Sequence, residues 1–311
     1  MQRLEKQNTI TKPTATSALS IKIIDDEPTC KSLWQKYCPQ KTLWDLWEFR
    51  RMFHLPHFKF HFMLCFEGNE EIGVVPLVHD PKKAKYIYFG DDFMERNRFL
   101  LSKKEYIAKV CGHFPRPLEL FFIEEEDAKQ HDAFIPCQKR YFLPLTNYTS
   151  FEGYLASFSK KHRKNVRYDL RQVEELKPAL KINEIADFER LSELSKERFG
   201  SESDFYDADH VSCMKTMIKW ALDKGMLDLI GIQIENKTEA VGLGIIFNKV
   251  YYVLCVTRNA DVMNLGKQLI KEQISRAIER GCIEIDFLAT EASWKELWNF
   301  SSEDTFELVL D

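Results

Sequence analysis

Residues 226–257 read MLDLIGIQIENKTEAVGLGIIFNKVYYVLCVT, and their pattern determines which fold is expected. Three apolar runs, 226–234, 238–247 and 250–257, are rich in β-branched and aromatic residues and are separated by short polar turns. They predict three consecutive strands. A helical pattern from about 264 to 280 follows, ended by Gly281, and 282–288 predicts a further strand. The predicted order is therefore a meander, a helix and a strand.

Helical patterns surround this unit. An apolar stripe steps by three or four residues from Phe151 to Val173 and predicts an amphipathic helix, which can break into two where Ser157 or Ser159 caps a new start. The other elements predicted in this half are helices at 187–199, 207–224 and 294–298 and a strand at 306–310.

The first part of the chain shows the same alternation of strands and helices. Its predicted strands are 20–25, 58–68, 70–78, 85–90, 117–123 and 140–145. Its predicted helices are 30–53, as one helix or two short ones, and 97–114.

Two segments resemble each other and indicate an internal repeat. Residues 66–74 and residues 234–243 each contain the end of a strand, an Asn turn, and a strand with Gly after its first apolar residue. Any hairpin with a polar tip has this appearance, so the alternative to a duplication stays open. We expect a flexible tail at 1–19, an N-terminal domain at 20–146 and a C-terminal domain at 147–311.

Composition limits the classes of function. The chain has 311 residues, a net charge of -4 and eight cysteines without a CxxC pair. The charge provides no general attraction to polyanions, and the cysteine pattern favours reduced thiols and a cytoplasmic protein. The N-terminus lacks the apolar core of a signal peptide, no window is apolar enough to cross a membrane, and no metal-ligand spacing occurs.

A basic segment lies on the predicted helix that follows Ser159. Its side chains Lys160, Lys164, Arg167 and Arg171 share one helical face, which would attract phosphates. A solvated charged face is the alternative.

Two further segments could carry chemistry. Asn264-Leu265-Gly266-Lys267 opens the helix after the meander, and the N–H groups of a helix start bind anions, although a plain loop-to-helix junction explains the segment equally well. Asp286 stands at the end of a strand, where an acid could orient or deprotonate an amine, and Lys295 could pair with a substrate anion. A turn cap and a surface lysine are the respective alternatives.

Taken in order, these segments resemble the Fem-like and CelD-like (cellulose-biosynthesis-type acetyltransferase) group of GNAT-superfamily acyltransferases. The stretch FEGYLASFSKKHRKNVRYDLRQVEEL, 151–176, is similar to the opening helices of that group. The matching positions further on are Tyr251-Tyr252, Gly266, Arg280-Gly281, Asp286-Phe287 and Trp294-Lys295. Thr290 stands where the family often has Gly, Trp294 replaces a Tyr, and the turn at Gly266 has one glycine instead of two.

The resemblance implies an α/β protein with a mixed sheet and a tandem GNAT-like fold in two halves. It implies an N-acyltransferase that uses acyl-coenzyme A as co-substrate, without a tightly bound cofactor or a metal, and a small amine as acceptor. By this resemblance Asp286, Lys295 and Tyr252 are the catalytic candidates. The donor would contact Val256, Thr257, Asn264, Gly266 and Lys267. Arg163, Arg167 and Trp294 would contact substrate.

Two alternatives remain at this stage. The basic helix permits a Fem-type aminoacyltransferase that takes its group from aminoacyl-tRNA. The single glycine and Thr290 permit a catalytically silent binding module. We expect a monomer or a homodimer.

Overall fold

The computed structural model describes residues 18–90, 93–289 and 293–311. Its strands are β1 (Leu19–Ile24), β2 (Lys59–Glu67), β3 (Glu70–Asp80), β4 (Lys85–Tyr88), β5 (Leu100–Leu101), β6 (Leu118–Glu124), β7 (Ile135–Pro144), β8 (Ala179–Ile182), β9 (Leu227–Ile234), β10 (Lys237–Phe247), β11 (Val250–Arg258), β12 (Glu284–Asp286) and β13 (Ser301–Leu310). Its α-helices are α1 (Glu27–Tyr37), α2 (Trp47–Met52), α3 (Tyr106–Cys111), α4 (Glu125–Ala128), α5 (Phe151–Leu155), α6 (Lys160–Glu175), α7 (Ala186–Phe199), α8 (Ala208–Asp223), α9 (Leu265–Glu279) and α10 (Ser293–Glu296).

The predicted meander is confirmed as β9, β10 and β11, which pair antiparallel in sequence order. Its turns are tight, and each contains one Asn, a residue that tolerates positive φ. Glu235 and Asn236 have φ of 50° and 66°, and Asn248 and Lys249 have 46° and 62°. Two consecutive residues with positive φ match the right-handed twist of the strands they join.

The strands form one mixed sheet in the order β1-β2-β3-β4-β6-β13-β7-β12-β11-β10-β9-β8, with β5 beside β3. Each half repeats one plan: an antiparallel meander ends in a strand that pairs parallel with a later one, β4 with β6 and β11 with β12. The hairpins of the predicted repeat, β2–β3 and β9–β10, occupy corresponding places. The prediction of a mixed α/β sheet in two GNAT-like halves is therefore confirmed.

The two halves exchange strands where they meet. β7 comes from the first half in sequence but pairs with β12, and β13 comes from the second half but pairs with β6. β7 and β13 also pair with each other, so the sheet is continuous. A second link is a shared core, in which Trp44 and Phe49 pack in the same cluster as Leu191 and Met217.

Three local predictions are refined by the structure. The break in the amphipathic helix falls at Ser159, whose hydroxyl accepts from the N–H of His162 at 3.3 Å and caps α6. The helix predicted at 97–114 was wrong in its first part, because Asn97 pairs with β6 and only Tyr106–Cys111 is helical. The short strand β8 was not predicted, because its four residues, three of them exposed, are too few to give a clear pattern.

Candidate active site

The sheet opens between β11 and β12. These parallel strands pair only from Val250–Tyr252 to Glu284–Asp286, whereas β11 continues to Arg258. Beyond Tyr252, in the described part of the chain, no strand lies on that side of β11. The N–H of Asn259 donates to the carbonyl of Glu239 at 2.7 Å. Because successive residues of an antiparallel strand point their backbone groups to opposite sides, the N–H of Val256 faces the opening.

Helix α9 starts at the wide end of this opening. β11 leads through residues 259–264 into α9, and Asn264 precedes it with a φ of 64° and no side-chain cap bond. A Cβ added to Gly266 would lie 3.5 Å from Nε of Arg258, so the first turn of α9 lies against that guanidinium. The unpaired N–H groups of the first turn and this cation together favour a bound anion.

The other residues predicted to contact the donor differ in their hydrogen-bond and ion-pair partners. Lys267 forms an ion pair with Asp169 of α6, and the amide of Asn264 donates to Gln172 at 2.9 Å. The hydroxyl of Thr257 is buried without a hydrogen-bond partner among the described residues. Arg258 was not predicted as a site residue. Its position shortly before a helix start could have indicated it, because a basic residue there can help to bind an anion.

Asp286 lies at the end of β12 with no exposed surface. One carboxylate oxygen accepts from Nε of Arg140 at 2.8 Å, and the other accepts from the N–H of Leu288 at 2.9 Å. Arg140, which β7 supplies, also pairs with Glu284 and Glu303. Because both carboxylate oxygens of Asp286 are held by hydrogen bonds, it is suited to orienting its neighbours.

Lys295 points back from α10 to the end of β12 and is 3% exposed. Its ammonium donates to the carbonyls of Phe287 and Leu288 at 2.7 and 3.0 Å. Burial lowers the pKa of Lys295 to about 8, while the charges of Glu95 and Asp286 act in the opposite direction. The predicted pair of Asp286 and Lys295 is therefore brought to one place.

Tyr252 connects this place to the N-terminal half. Its side chain is 2% exposed, and its hydroxyl accepts from the N–H of Leu43 at 3.3 Å. The ring meets Trp44 edge to face, with centroids 5.8 Å apart. Burial raises the pKa of the phenol above its ordinary range, so Tyr252 stays protonated at neutral pH.

Glu95 is a site residue that sequence reasoning missed. It lies in the loop between β4 and β5, and its carboxylate accepts from the N–H of Ala289, just beyond β12. Burial raises the pKa of Glu95 to about 7. No motif pointed to it, because its place depends on contact between segments almost 200 residues apart in sequence.

A cavity of about 200 Å³ lies beside this cluster. The residues that line it come from both halves and include Glu95, Arg96, Glu124, Arg140 and Glu303. Two of these residues, Glu95 and Arg140, also contact the end of β12 or the backbone just beyond it.

Of the predicted substrate contacts, Arg163 and Arg167 have their partners in residues 152–156, whereas Trp294 lies next to this cluster. Arg167 pairs with Glu152 of α5, and Arg163 donates to the carbonyl of Ala156 at 3.0 Å. Trp294 packs edge to face against Phe287, with centroids 6.1 Å apart. Thr290 lies outside the described residues.

The corresponding opening of the N-terminal half is filled by its own chain. The N–H of Asn97 donates to Phe122, and the N–H of Glu124 donates to Asn97, each at 2.9 Å, so this segment runs beside β6. Arg50 is buried behind it and donates to the carbonyls of Trp44 and Phe89. A ligand could not enter there without displacing these groups.

The described residues offer neither a cluster for a metal ion nor a helix suited to crossing a membrane. They contain no group of three or more His, Cys, Asp or Glu side chains arranged to hold a metal ion. None of the helices among them combines the length and apolar character that a membrane crossing requires.

Residues 160–296 match the family model described as an acetyltransferase (GNAT) domain. No curated protein matches the chain in sequence. FemX is similar in structure, with a TM-score of 0.60 and 13% identity over 93% of this chain and 97% of that one. A tandem GNAT protein from the clavulanic acid biosynthesis pathway has a TM-score of 0.53 and 10% identity, covering 93% of this chain and 98% of that one.

A third similar structure is the C-terminal domain of a putative lysylphosphatidylglycerol synthetase from Agrobacterium fabrum. Its TM-score is 0.54 and its identity 9%, covering 92% of this chain and 93% of that domain. At such identities the likeness concerns the fold. The chain therefore has a tandem GNAT-like fold, and residues 160–296 match the acetyltransferase (GNAT) domain.

Proposed function

We propose that this chain is an N-acyltransferase that moves an acyl group from acyl-coenzyme A to an amine. The observation that carries the proposal is the opening between β11 and β12, with the start of α9 at its wide end. An extended ligand rich in amides can add to the free edge of β11, and an anionic group at its end can reach the helix start.

In this arrangement the donor lies along β11. The N–H of Val256 bonds a donor carbonyl, and the neighbouring Thr257 has a hydroxyl that lacks a partner in the described part of the chain. The pyrophosphate lies at Asn264 and Gly266, where Arg258 adds a cation. Lys267 is close enough to contribute if it leaves Asp169.

The acceptor meets the thioester at the end of β12. Its neutral amine attacks the carbonyl carbon, the carbonyl oxygen becomes an oxyanion, and the C–S bond then breaks. Lys295 can stabilise the oxyanion or hold the acceptor, Asp286 keeps the end of β12 in place through Arg140, and Tyr252 can protonate the leaving thiolate. Arg163, Arg167 and Trp294 remain candidates for contacts to distal parts of the substrates.

An aminoacyl-tRNA donor is the second candidate, and one observation favours it. Lys160, Lys164, Arg167 and Arg171 of α6 are all exposed and form a basic face. Binding of tRNA to such a face would weaken steeply with salt.

Thermal unfolding with acetyl-coenzyme A, a longer acyl-coenzyme A and free coenzyme A tests the proposal. A donor at about 100 times its dissociation constant adds roughly 2.7 kcal/mol to the free energy of unfolding, which raises the midpoint by several degrees. We expect Gly266→Glu to abolish the shift, because its carboxylate repels the pyrophosphate. Gly112→Glu is the matched control, since a Cβ there also has its nearest contact at 3.5 Å.

The outcomes separate the candidates. A shift that survives in Gly266→Glu would move the donor away from α9. The second candidate would be favoured if none of the three ligands shifts the unfolding midpoint and if tRNA binds in a salt-sensitive way. That binding should be lost in a variant that carries both Lys164→Glu and Arg171→Glu.

A further inference from the structure

Glu95 reaches from the N-terminal half into the end of β12. The segment that carries it is held beside β6 by the backbone bonds of Asn97 with Phe122 and Glu124. From there the carboxylate of Glu95 accepts the N–H of Ala289, three residues after Asp286. The position of Glu95 is therefore set by two sets of backbone hydrogen bonds, those of Asn97 with β6 and the one from Ala289.

The carboxylates around the cavity differ in what holds them. Glu284 and Glu303 pair with Arg140, as Asp286 does, and Glu124 pairs with Arg96 and Arg98. Within the described ranges, Glu95 has one backbone N–H and forms no ion pair. Asp304 also lines the cavity and forms no ion pair in the described part of the chain, but its side chain is exposed. Glu95 is therefore the half-buried carboxylate of this group that can take a proton without breaking a salt bridge.

The charges that face Glu95 come from several elements. Burial raises its pKa to about 7, the N–H of Ala289 and the Lys295 charge lower it, and the Asp286 charge raises it. The other charged residues that line the same cavity are Arg96, Glu124, Glu125, Glu126, Arg140, Glu303 and Asp304. A base with a pKa near the working pH transfers protons most effectively.

We propose that Glu95 accepts the proton of the acceptor ammonium, so that the N-terminal half supplies the base for a reaction held in the C-terminal half. This inference rests on the proposed acyl transfer. Glu95 takes one proton from the R–NH₃⁺ group, and the freed lone pair forms the C–N bond. As the C–S bond breaks, the nitrogen gives up its second proton and that proton passes to the departing thiolate, which leaves the amide and the thiol. Glu95 releases its own proton to solvent through the cavity.

Kinetics of Glu95→Gln test the role. Acetyl-coenzyme A is the donor, and glucosamine, lysine and spermidine are the amines. We expect kcat to fall about 10²- to 10⁴-fold, with donor affinity unchanged within about twofold, because Glu95 does not face the donor. The rising limb of the pH profile near pH 7 disappears, whereas Glu95→Asp keeps a weakened limb. Glu105→Gln, a substitution of an exposed acid outside the cavity, keeps the wild-type profile.

A Glu95→Gln variant with an unchanged rate or an unchanged rising limb would overturn the inference. A second measurement does not depend on the acceptor. In protein labelled with ¹³C at the glutamate carboxyls, NMR should show one resonance titrating near pH 7 that is missing from Glu95→Gln and present in Glu105→Gln. Glutamates that all titrate below about pH 5.5 would also overturn it, even if donor binding at α9 stands.

Discussion

At the residue scale, the ionisable groups of the candidate site differ in whether an opposite charge contacts them. Asp286 is fully buried but has Arg140 and a backbone N–H, so its charge is stabilised. Glu95 is half-buried and Lys295 is buried, their hydrogen-bond partners among the described residues are backbone groups, and burial moves each pKa towards neutrality. Several groups with shifted pKa values in one cleft are typical of active sites, because catalysis requires pKa values that match the chemistry.

Glu95 should make the protein less stable as pH rises. Its folded pKa of about 7 exceeds the ordinary value of 4.5, so the folded state binds more protons than the unfolded state between these values. We expect the free energy of unfolding of Glu95→Gln to exceed that of wild type by roughly 1 to 3 kcal/mol at pH 8. Near pH 4 the two values should be equal. Urea titrations at both pH values check this. Equal destabilisation at pH 4 and pH 8 would indicate a purely structural Glu95.

Lys295 should set the alkaline limb of activity. Its pKa of about 8 means that its charge is lost above that pH, and an oxyanion is then less well stabilised. We expect kcat to fall above about pH 8 in wild type. Lys295→Arg should retain low activity with the falling limb displaced upwards, since guanidinium stays charged. A limb that stays at the same pH in Lys295→Arg would exclude Lys295 as its origin.

At the element scale, Arg50 on α2 explains why the two halves differ. It donates to the carbonyls of Trp44, Phe89 and Arg96 at 2.5 to 2.9 Å and to the amide oxygen of Asn97 at 2.8 Å. It thereby holds the segment that fills the N-terminal opening. Among the described residues, no comparable segment lies beside the end of β11, so the edge of this strand remains free to bind a ligand.

Replacing Arg50 should destabilise the whole chain. Arg50→Met removes four hydrogen bonds and leaves buried acceptors unpaired, which we expect to cost about 3 to 5 kcal/mol. Arg51→Met is the control, because Arg51 is half-exposed and pairs with Glu27 at the surface, where a pair contributes at most about 1 kcal/mol. Chemical unfolding of both variants provides the comparison. Similar losses would show that burial of Arg50 has no special role.

At the scale of the whole molecule, the strand exchange makes the halves one unit. β7 carries Arg140 to Asp286, and the loop after β4 carries Glu95 to Ala289. The site therefore needs both halves although the GNAT match covers residues 160–296 alone.

This asymmetry predicts one donor site per chain. Calorimetric titration with acetyl-coenzyme A should give a stoichiometry near one, because the N-terminal opening is filled. Binding should vanish in Gly266→Glu. A stoichiometry of two would mean that the segment around Asn97 moves aside.

The amino-acid sequence alone determined the local parts of this protein. Asn turns and apolar runs predicted β9 to β11, and the two serines Ser157 and Ser159 predicted a helix start that the structure places after Ser159. The position of Asp286 at the end of a strand made it a candidate site residue. These features depend on neighbours in sequence, where turn chemistry and periodicity act directly. The helix prediction is wrong for residues 97–101, because their own propensity does not reveal the pairing of Asn97 with β6.

Only the tertiary structure decided the exchange of β7 and β13 and the approach of Glu95 to Ala289. Strand partners distant in sequence are selected by the packing of the whole sheet, and no local signal encodes them. The pKa of a carboxylate likewise depends on burial and facing charges, which exist only after folding. The sequence thus determined one half of the site, and the contact between halves determined the other.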